Sequence, residues 1–487
     1  MKTFDYINRI KVPLHLLLLV PVLAFITLIL FASRPPESSG VARLPPVIGH
    51  LHHLAGAIPH QAFRDLARRH DPLMLLRFGE VTAVVASSPD TTREILKIHD
   101  PTFASRPVGP MSRLWFQGSE GLVFAPISDA WRQLRKICTR ELLSARSVHS
   151  FRPVRQDELG CLLRVVAFSS PSPSEGRPMN LTEIIAAYIT DSTVRAIIGS
   201  RPFKGCDACL KLFEDMFRTR PGLSLPDLFP SSRLAMLVSR EPGGIMDAII
   251  QDHRYRKAAV FLAPTDHREH KVRYDCKDMF AVGSETAATV LQWVMAELMR
   301  NPRVRHKAQE EVRRALADHS EVTEESLGNI QYLHMVVKES LRLHVSGPLL
   351  TLHQCRSPCQ VLGYDVPVGA TVLVNSWAIA RDPAHWDAPE EFLPEWFDQE
   401  QGGATRDFMG TNFEFIPFGA GRRMCPGMMF GLAHIKLALA ALLFHFNLEL
   451  PAGVDAAGLD MMEEAGITTW RRSELLVVAT TLVPLPE

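Results

Sequence analysis

The pattern of apolar and polar positions divides the chain into three parts. Val12 to Ala32 is almost wholly apolar, with His15 and Thr27 as its polar interruptions. Roughly 21 helical residues rise about 31 Å, which matches a bilayer core. The run predicts a single transmembrane anchor over 12–32, after a short flank over 1–11. A cleaved signal peptide is the competing reading, because Lys2, Arg9 and Lys11 precede the run. Signal-peptide apolar cores are usually shorter, about 7–15 residues, and a good small-x-small cleavage site is missing here. The next part, 33–46, is a linker and hinge. Ser33 to Gly40 is rich in Pro, Gly and Ser, and Pro45-Pro46 fixes the backbone at its end.

From Val47 onward the periodicity is mostly helical. It predicts helices over Gln61–His70, Trp131–Leu143, Glu183–Ile198, Asp278–Met299, Asn301–Ala317, Met335–Leu343 and Met428–Phe444. Thr323, followed by Glu324 and Glu325, predicts a capped helical turn. Short β-branched runs predict strands at Glu80–Ser87, Cys359–Tyr364 and Thr371–Val374. There is no βαβ alternation and no internal repeat. The fold class is therefore mainly α (α+β): one helix-rich domain with small β-sheets over 47–487, behind a transmembrane helix.

Composition removes some functions. Lys+Arg and Asp+Glu both number 53 in 487 residues, so the formal net charge is zero. With no basic run carrying interleaved aromatics, nucleic acid is not an expected partner. Eight scattered cysteines fit a reducing compartment better than a disulfide scaffold. Cys206 and Cys209 have the spacing of half a zinc site, which needs further ligands to mean anything.

The densest chemistry lies in Phe418-Gly419-Ala420-Gly421-Arg422-Arg423-Met424-Cys425-Pro426-Gly427, just before a helical run. A thiolate at a helix start is stabilised by unpaired N–H groups and the positive helix end. Gly421 and Gly427 let backbone approach a flat cofactor, and Arg423 offers donors to an anionic one. On chemistry alone, a structural cysteine in a Gly-rich turn remains the alternative. Glu339 and Arg342, three apart on one helix, can form an ion pair. Trp131 and Arg135 share a face in the same way.

These segments together resemble the cytochrome P450 superfamily. Phe418, Gly421, Arg423, Cys425 and Gly427 fit its signature Phe-x-x-Gly-x-Arg-x-Cys-x-Gly. Glu339-Ser340-Leu341-Arg342 resembles its Glu-x-x-Arg helix, and Trp131 with Arg135 its Trp-x-x-x-Arg helix. Phrases such as Val47-Ile48-Gly49-His50, LQWVMAELMRNP, NSWAIARDP and PFGAGRRMCPG look like plant microsomal members of the 71 clan. The resemblance runs from about Pro45 to Pro486.

The resemblance implies haem b (iron protoporphyrin IX) with Cys425 as its axial metal ligand. It implies that Trp131, Arg135, Arg423, His353 and Arg106 surround the haem carboxylates, and that Phe418, Gly421 and Gly427 shape the cofactor loop. In Phe280-Ala281-Val282-Gly283-Ser284-Glu285-Thr286, Gly283 would leave room for dioxygen. Thr286 would donate a hydrogen bond there, and Glu285 would help relay protons. Glu339 and Arg342 would be structural. Leu114, Trp115, Phe116, Val282, Leu349, Leu350 and Ile467 would line an apolar substrate pocket. The expected reaction inserts one oxygen atom from O2 into a small lipophilic plant metabolite. Electrons would come from NADPH through cytochrome P450 reductase, with cytochrome b5 as a second candidate donor. The expected setting is the endoplasmic reticulum membrane, with the haem domain in the cytosol. Charge around the anchor opposes this: three basic residues precede it, against Arg34 and Arg43 after it.

Four departures from the family pattern stand out. Pro394-Glu395-Trp396-Phe397 has Trp396 where relatives place an arginine that completes the Glu339/Arg342 network. Gln251 to Lys277 is short and charged, the proline hinge is abbreviated, and Val282 and Ala287 alter the central helix. Besides an active monooxygenase, the sequence therefore leaves open an impaired haem-binding paralogue and a non-enzymatic membrane electron carrier.

Overall fold

A computed structural model describes residues 48–110, 121–169, 177–198, 224–238, 267–398 and 406–486. The anchor 12–32 and the linker and hinge 33–46 lie outside the described residues. In chain order the first elements are α1 (Pro59–Arg69), β1 (Leu73–Phe78), β2 (Val81–Ala86), α2 (Asp129–Ile137), α3 (Arg152–Phe168), β3 (Met179–Asn180) and α4 (Leu181–Ile198). Then come α5 (His267–Arg300), α6 (Pro302–Ala315), α7 (Gln331–Leu343), β4 (His353–Gln354), β5 (Cys359–Val361), β6 (Tyr364–Val366) and β7 (Thr371–Val374). The C-terminal part holds α8 (Met428–His445), β8 (Phe446–Glu449), β9 (Glu463–Ala465), β10 (Thr469–Arg471) and β11 (Leu476–Thr481).

Helices α3, α4, α5 and α8 pack against one another around a single large apolar core. Helix α8 is apolar on every side, and Leu437 to Leu443 are wholly buried in it. It is the one helix among the described residues long and apolar enough to cross a bilayer, yet it runs through the protein interior. Helix α8 meets α5 where Gly431 faces Ala287; a Cβ at 431 would make an ordinary van der Waals contact, 3.8 Å from the Ala287 methyl. A four-stranded sheet, ordered β1-β2-β7-β4, mixes antiparallel pairs with the parallel β2/β7 pair. A three-stranded sheet, β3-β11-β8, and the hairpins β5/β6 and β9/β10 complete the β-structure.

Three local expectations need correction. Cys359–Tyr364 is not one strand but the hairpin β5/β6, because Leu362 (φ 49°) and Gly363 (φ 85°) make a left-handed two-residue turn. Thr323 does not cap the following turn; its N–H donates to Ser326 Oγ and its carbonyl accepts from the same hydroxyl. The central helix α5 begins at His267 rather than Asp278, so 267–277 is helical despite its charge. Lys, Arg and Glu are good helix formers, and charge alone does not end a helix. The rest of the segment, 251–266, lies outside the described residues.

The Glu339/Arg342 pair is buried completely. Arg342 Nε and Nη2 donate to the two Glu339 oxygens at 2.7 and 2.8 Å. Its remaining donors reach the carbonyls of Ala380, Pro389 and Glu391 at 2.8–2.9 Å. Glu339 also accepts from Leu393 N–H at 2.8 Å. All five guanidinium hydrogens are thus accounted for, and the Leu393 N–H gives Glu339 one further donor where an arginine at 396 was expected to stand. Trp396 instead meets Trp386 edge-on at 6.0 Å, and Trp386 is faced by the guanidiniums of Arg342 and Arg406.

The loop before α8 is shaped by sterics. Gly421 has φ +67°, and a Cβ there would overlap the Leu96 carbonyl oxygen and lie 2.6 Å from Asp100 Oδ1. Asp100 in turn accepts the Arg422 N–H at 3.1 Å.

Two predictions follow from this packing. Glu339→Ala leaves Arg342 as a buried, unpaired cation and lowers unfolding free energy by about 3–5 kcal/mol. Trp396→Phe, which touches no charge, costs about 1 kcal/mol. Parallel denaturant unfolding of both variants checks the contrast, and equal losses would contradict a network complete without residue 396. Gly421→Ala forces a left-handed alanine against a backbone oxygen and costs at least about 1–3 kcal/mol. The loss reads out as a lowered Tm together with a lowered bound-pigment-to-protein ratio.

Candidate functional site

Cys425 stands at the start of α8, held by its N–H on the Phe418 carbonyl at 2.9 Å. Its sulfur accepts hydrogen bonds from the backbone N–H groups of Gly427 and Met428. Burial pushes the thiol above its ordinary pKa, while those two donors and Arg135 pull the other way. Such a sulfur is well placed for a metal ion, which takes the place of the proton and removes the cost of burial.

The same cavity is walled by Cys425, Pro426, Gly427, Phe418, Phe430 and Gly431 on one side. Val282, Gly283, Thr286, Ala287 and Val290 of α5 form the other. Thr286 bonds its hydroxyl to the Val282 carbonyl at 2.7 Å, which orients the side chain on the cavity wall. A Cβ on Gly427 would meet no protein atom within 4 Å, and one on Gly283 would meet only Thr193 Cγ2, at 3.6 Å. What these two glycines leave open is therefore the cavity and not protein packing. Val282 and Ala287 are both on the wall, so the two departures in the central helix bear directly on its shape. Glu285 lies on the same turn of α5 but is not among the cavity-lining residues.

Behind the wall of this cavity, bonded to the backbone of residues that line it, sits a cluster of cations. Arg423 donates to the carbonyls of Ala104 (2.8 Å), Leu122 (3.4 Å) and Ala125 (2.7 Å). Arg106 donates to Val123 (3.0 Å), Thr351 and Leu352 (both 2.7 Å), and Arg135 to Met424 (2.5 Å). Trp131 gives its indole N–H to the Leu122 carbonyl at 2.9 Å, and the Arg423 guanidinium lies 3.8 Å from its ring centre. His353 is buried on the Phe103 carbonyl at 2.9 Å. Burial moves these groups toward neutrality; neighbouring cations add to it for Arg423, Arg106 and His353, whereas Cys425 and Cys138 oppose it for Arg135. Arg423 falls to about 9, first by burial and then by Arg135, with Asp100 opposing. Arg106 falls well below the usual arginine value, by burial and then by Arg423 and Arg135. His353 falls well below 6.5, by burial and then chiefly by Arg106.

Three guanidiniums satisfied by carbonyl oxygens have hydrogen bonds but too little counter-charge. Haem fits that set. Its two carboxylates would supply the missing negative charge, its plane the space Gly427 leaves, and its iron a partner for Cys425.

The expected pocket residues divide between two adjoining cavities. Val282 is on the wall of the Cys425 cavity, whereas Leu349, Leu350 and Ile467 line a neighbouring one with Arg106, His60 and Phe124. The segments 122–124 and 346–352 contribute to both walls. Leu114, Trp115 and Phe116 lie outside the described residues, as do Cys206 and Cys209. Sequence reasoning missed the carbonyls of 122–125, because a backbone acceptor carries no residue signature. It also missed Phe430, which reads as one more apolar position in α8.

Comparison with known proteins places this architecture. A family model described as Cytochrome P450 matches residues 40–470. The chain is 38% identical to premnaspirodiene oxygenase of Hyoscyamus muticus, covering 91% of this chain and 92% of that one. Identity is also 38% to 5-epiaristolochene 1,3-dihydroxylase of Nicotiana tabacum, with the same coverage of 91% and 92%. Cytochrome P450 71D7 of Solanum chacoense is again 38% identical, over 90% of this chain and 92% of its own. A solved zebra fish cytochrome P450, determined with abiraterone, shares the fold with TM-score 0.68 at 23% identity, over 87% of this chain and 99% of that one. With its signature loop, helix core and relatives in agreement, the chain belongs to the cytochrome P450 family and is a haem-dependent monooxygenase resembling the plant 71 group.

Proposed function

We propose that this protein is a membrane-anchored monooxygenase of plant specialised metabolism. It inserts one oxygen atom from O2 into a small apolar metabolite of the terpenoid class. Electrons come from NADPH through cytochrome P450 reductase, with cytochrome b5 as an auxiliary donor, on the cytosolic face of the endoplasmic reticulum. The observation that carries this reading is the shared cavity: a sulfur bonded by two helix-start N–H groups faces Gly283 and Thr286 across it.

Cys425 is the residue that would hold the iron. Arg135, Arg423 and Arg106, with Trp131 and His353, would hold the two haem carboxylates by exchanging carbonyl partners for carboxylate oxygens. Bound there, haem supplies the reduction of dioxygen and the oxidation of the substrate. The amide donors on Cys425 Sγ would tune how strongly the sulfur donates charge. Thr286 would present a hydroxyl to the oxygen-binding side of the cavity and pass a proton inward, with Glu285 as the group that resupplies it. Phe418, Phe430 and Val290 would keep water from the cavity. Leu349, Leu350 and Ile467 form an apolar approach suited to a terpenoid hydrocarbon. Two of the relatives support that class by the compounds in their names, premnaspirodiene and 5-epiaristolochene. The closed Glu339/Arg342 network supports the active reading over an impaired one, since Trp396 leaves neither charge unpaired.

The test is spectroscopic and then chemical. Membrane-expressed protein, reduced and exposed to carbon monoxide, shows a band near ~450 nm that Cys425→Ala abolishes. With reductase and NADPH it then oxygenates at least one of premnaspirodiene and 5-epiaristolochene. A band only near ~420 nm in the wild type would reject thiolate ligation. An intact band without products from either compound would reject the substrate class.

A further inference from the structure

The hairpin β9/β10 carries Gly466 and Ile467 at its tip, and both line the cavity that Leu349, Leu350 and Arg106 share. Its two strands are gripped from different parts of the chain. On β9, Glu463 is buried and its carboxylate accepts three side-chain donors: His60 Nε2 at 2.8 Å, Gln61 Nε2 at 3.3 Å and Trp377 Nε1 at 3.1 Å. Two of these come from α1, roughly 400 residues away in sequence, a separation at which contacts exist only through the fold. On β10, the Thr469 N–H donates to the Ser346 carbonyl and the Thr469 carbonyl accepts the Trp293 indole, both at 2.9 Å. Trp293 is a buried residue of α5, and Ser346 lines the Cys425 cavity.

Glu463 does not act as an ordinary surface anchor. Burial drives it toward protonation, yet the His60 hydrogen bond and charge, with Arg381, bring it down to about 2; since burial also lowers His60, the hydrogen bond and Arg381 are what hold the carboxylate ionised. It is therefore an ionised carboxylate at neutral pH, enclosed by donors. His60, its shortest partner, is itself on the wall of the cavity that Ile467 enters. The carboxylate thus ties the strand that carries the three-residue tip to His60, another part of the same wall.

We propose that Glu463 is a positioning residue for substrate selection: by clamping β9 to His60 and Trp377, it sets how far Ile467 projects into the cavity, and so the size of molecule that can pass to the Cys425 side. This rests on the monooxygenase reading for its substrate and on the geometry alone for the clamp.

The experiment compares the full-length protein with Glu463→Ala, Glu463→Gln and Ile467→Ala. Hydrogen exchange is followed on peptides spanning the hairpin tip, and spectral titrations use 1-phenylimidazole and the much bulkier clotrimazole. Glu463→Ala speeds exchange at the tip by about tenfold or more while leaving the loop around Cys425 protected. It also changes the clotrimazole-to-phenylimidazole affinity ratio by about fivefold or more, in the same direction as Ile467→Ala. Glu463→Gln, which keeps acceptor oxygen for Trp377, falls between wild type and alanine. Unchanged tip exchange, an unchanged affinity ratio, or faster exchange spread through the whole chain would each overturn the clamp. A wild type without the ~450 nm band would instead overturn the haem reading, and the exchange measurement would still decide the clamp.

Discussion

Two opposite charges sealed from water organise the region behind the cofactor site. Removing Glu339 and Arg342 from solvent is costly, and the cost is recovered only if every hydrogen-bonding position is filled. On the guanidinium they are: two bonds run to Glu339 and carbonyls between residues 380 and 391 take the rest, while Glu339 gains the Leu393 amide and is still raised by burial. The demand for five acceptors around one guanidinium fixes a stretch of irregular backbone that has little regular hydrogen bonding of its own. That stretch leads to the aromatic cluster of Trp386, Trp396, Phe397 and Phe415, and Phe415 adjoins Phe408, which packs on Phe418 of the cysteine loop. An ion pair thereby reaches the cysteine loop through contiguous packing.

The site itself is built on the opposite electrostatic condition. Arg106, Arg135 and Arg423 have hydrogen-bond acceptors but little negative charge nearby. One network is complete in charge and the other is short of it, and this difference separates scaffold from binding site. The thiol follows the same logic, being raised by burial while two amides and an arginine favour its anion.

Much of this was legible in the sequence, and the boundary is physical. The cysteine loop could be read because several constraints fall on contiguous residues: a left-handed Gly421, an arginine, a sulfur and a helix start. Helix α7 and the Glu339/Arg342 pair could be read because a three-residue spacing reports a shared face. The acceptors of Arg342 and Arg423 could not, because carbonyl oxygens belong to every residue type. For the same reason, the Leu393 amide that donates to Glu339 could not be foreseen where an arginine at 396 was expected. The hairpin β5/β6 was misjudged because a Leu-Gly turn with both residues left-handed sits inside a β-rich run. Glu463 gave no local signal, since its partners lie on α1 and beside β7.

The short segment from Asp100 to Arg106 has a role out of proportion to its length. Asp100 pins the Arg422 amide, the Phe103 carbonyl receives His353, the Ala104 carbonyl receives Arg423, and Arg106 reaches the carbonyls of 351 and 352. These seven residues work as a junction box joining the cysteine loop, the edge strand and the cavity wall. Chimeras that exchange selectivity segments with related enzymes therefore have a natural splice point just after Arg106. A cut made earlier would sever four long-range attachments at once, whatever the incoming loop contributes.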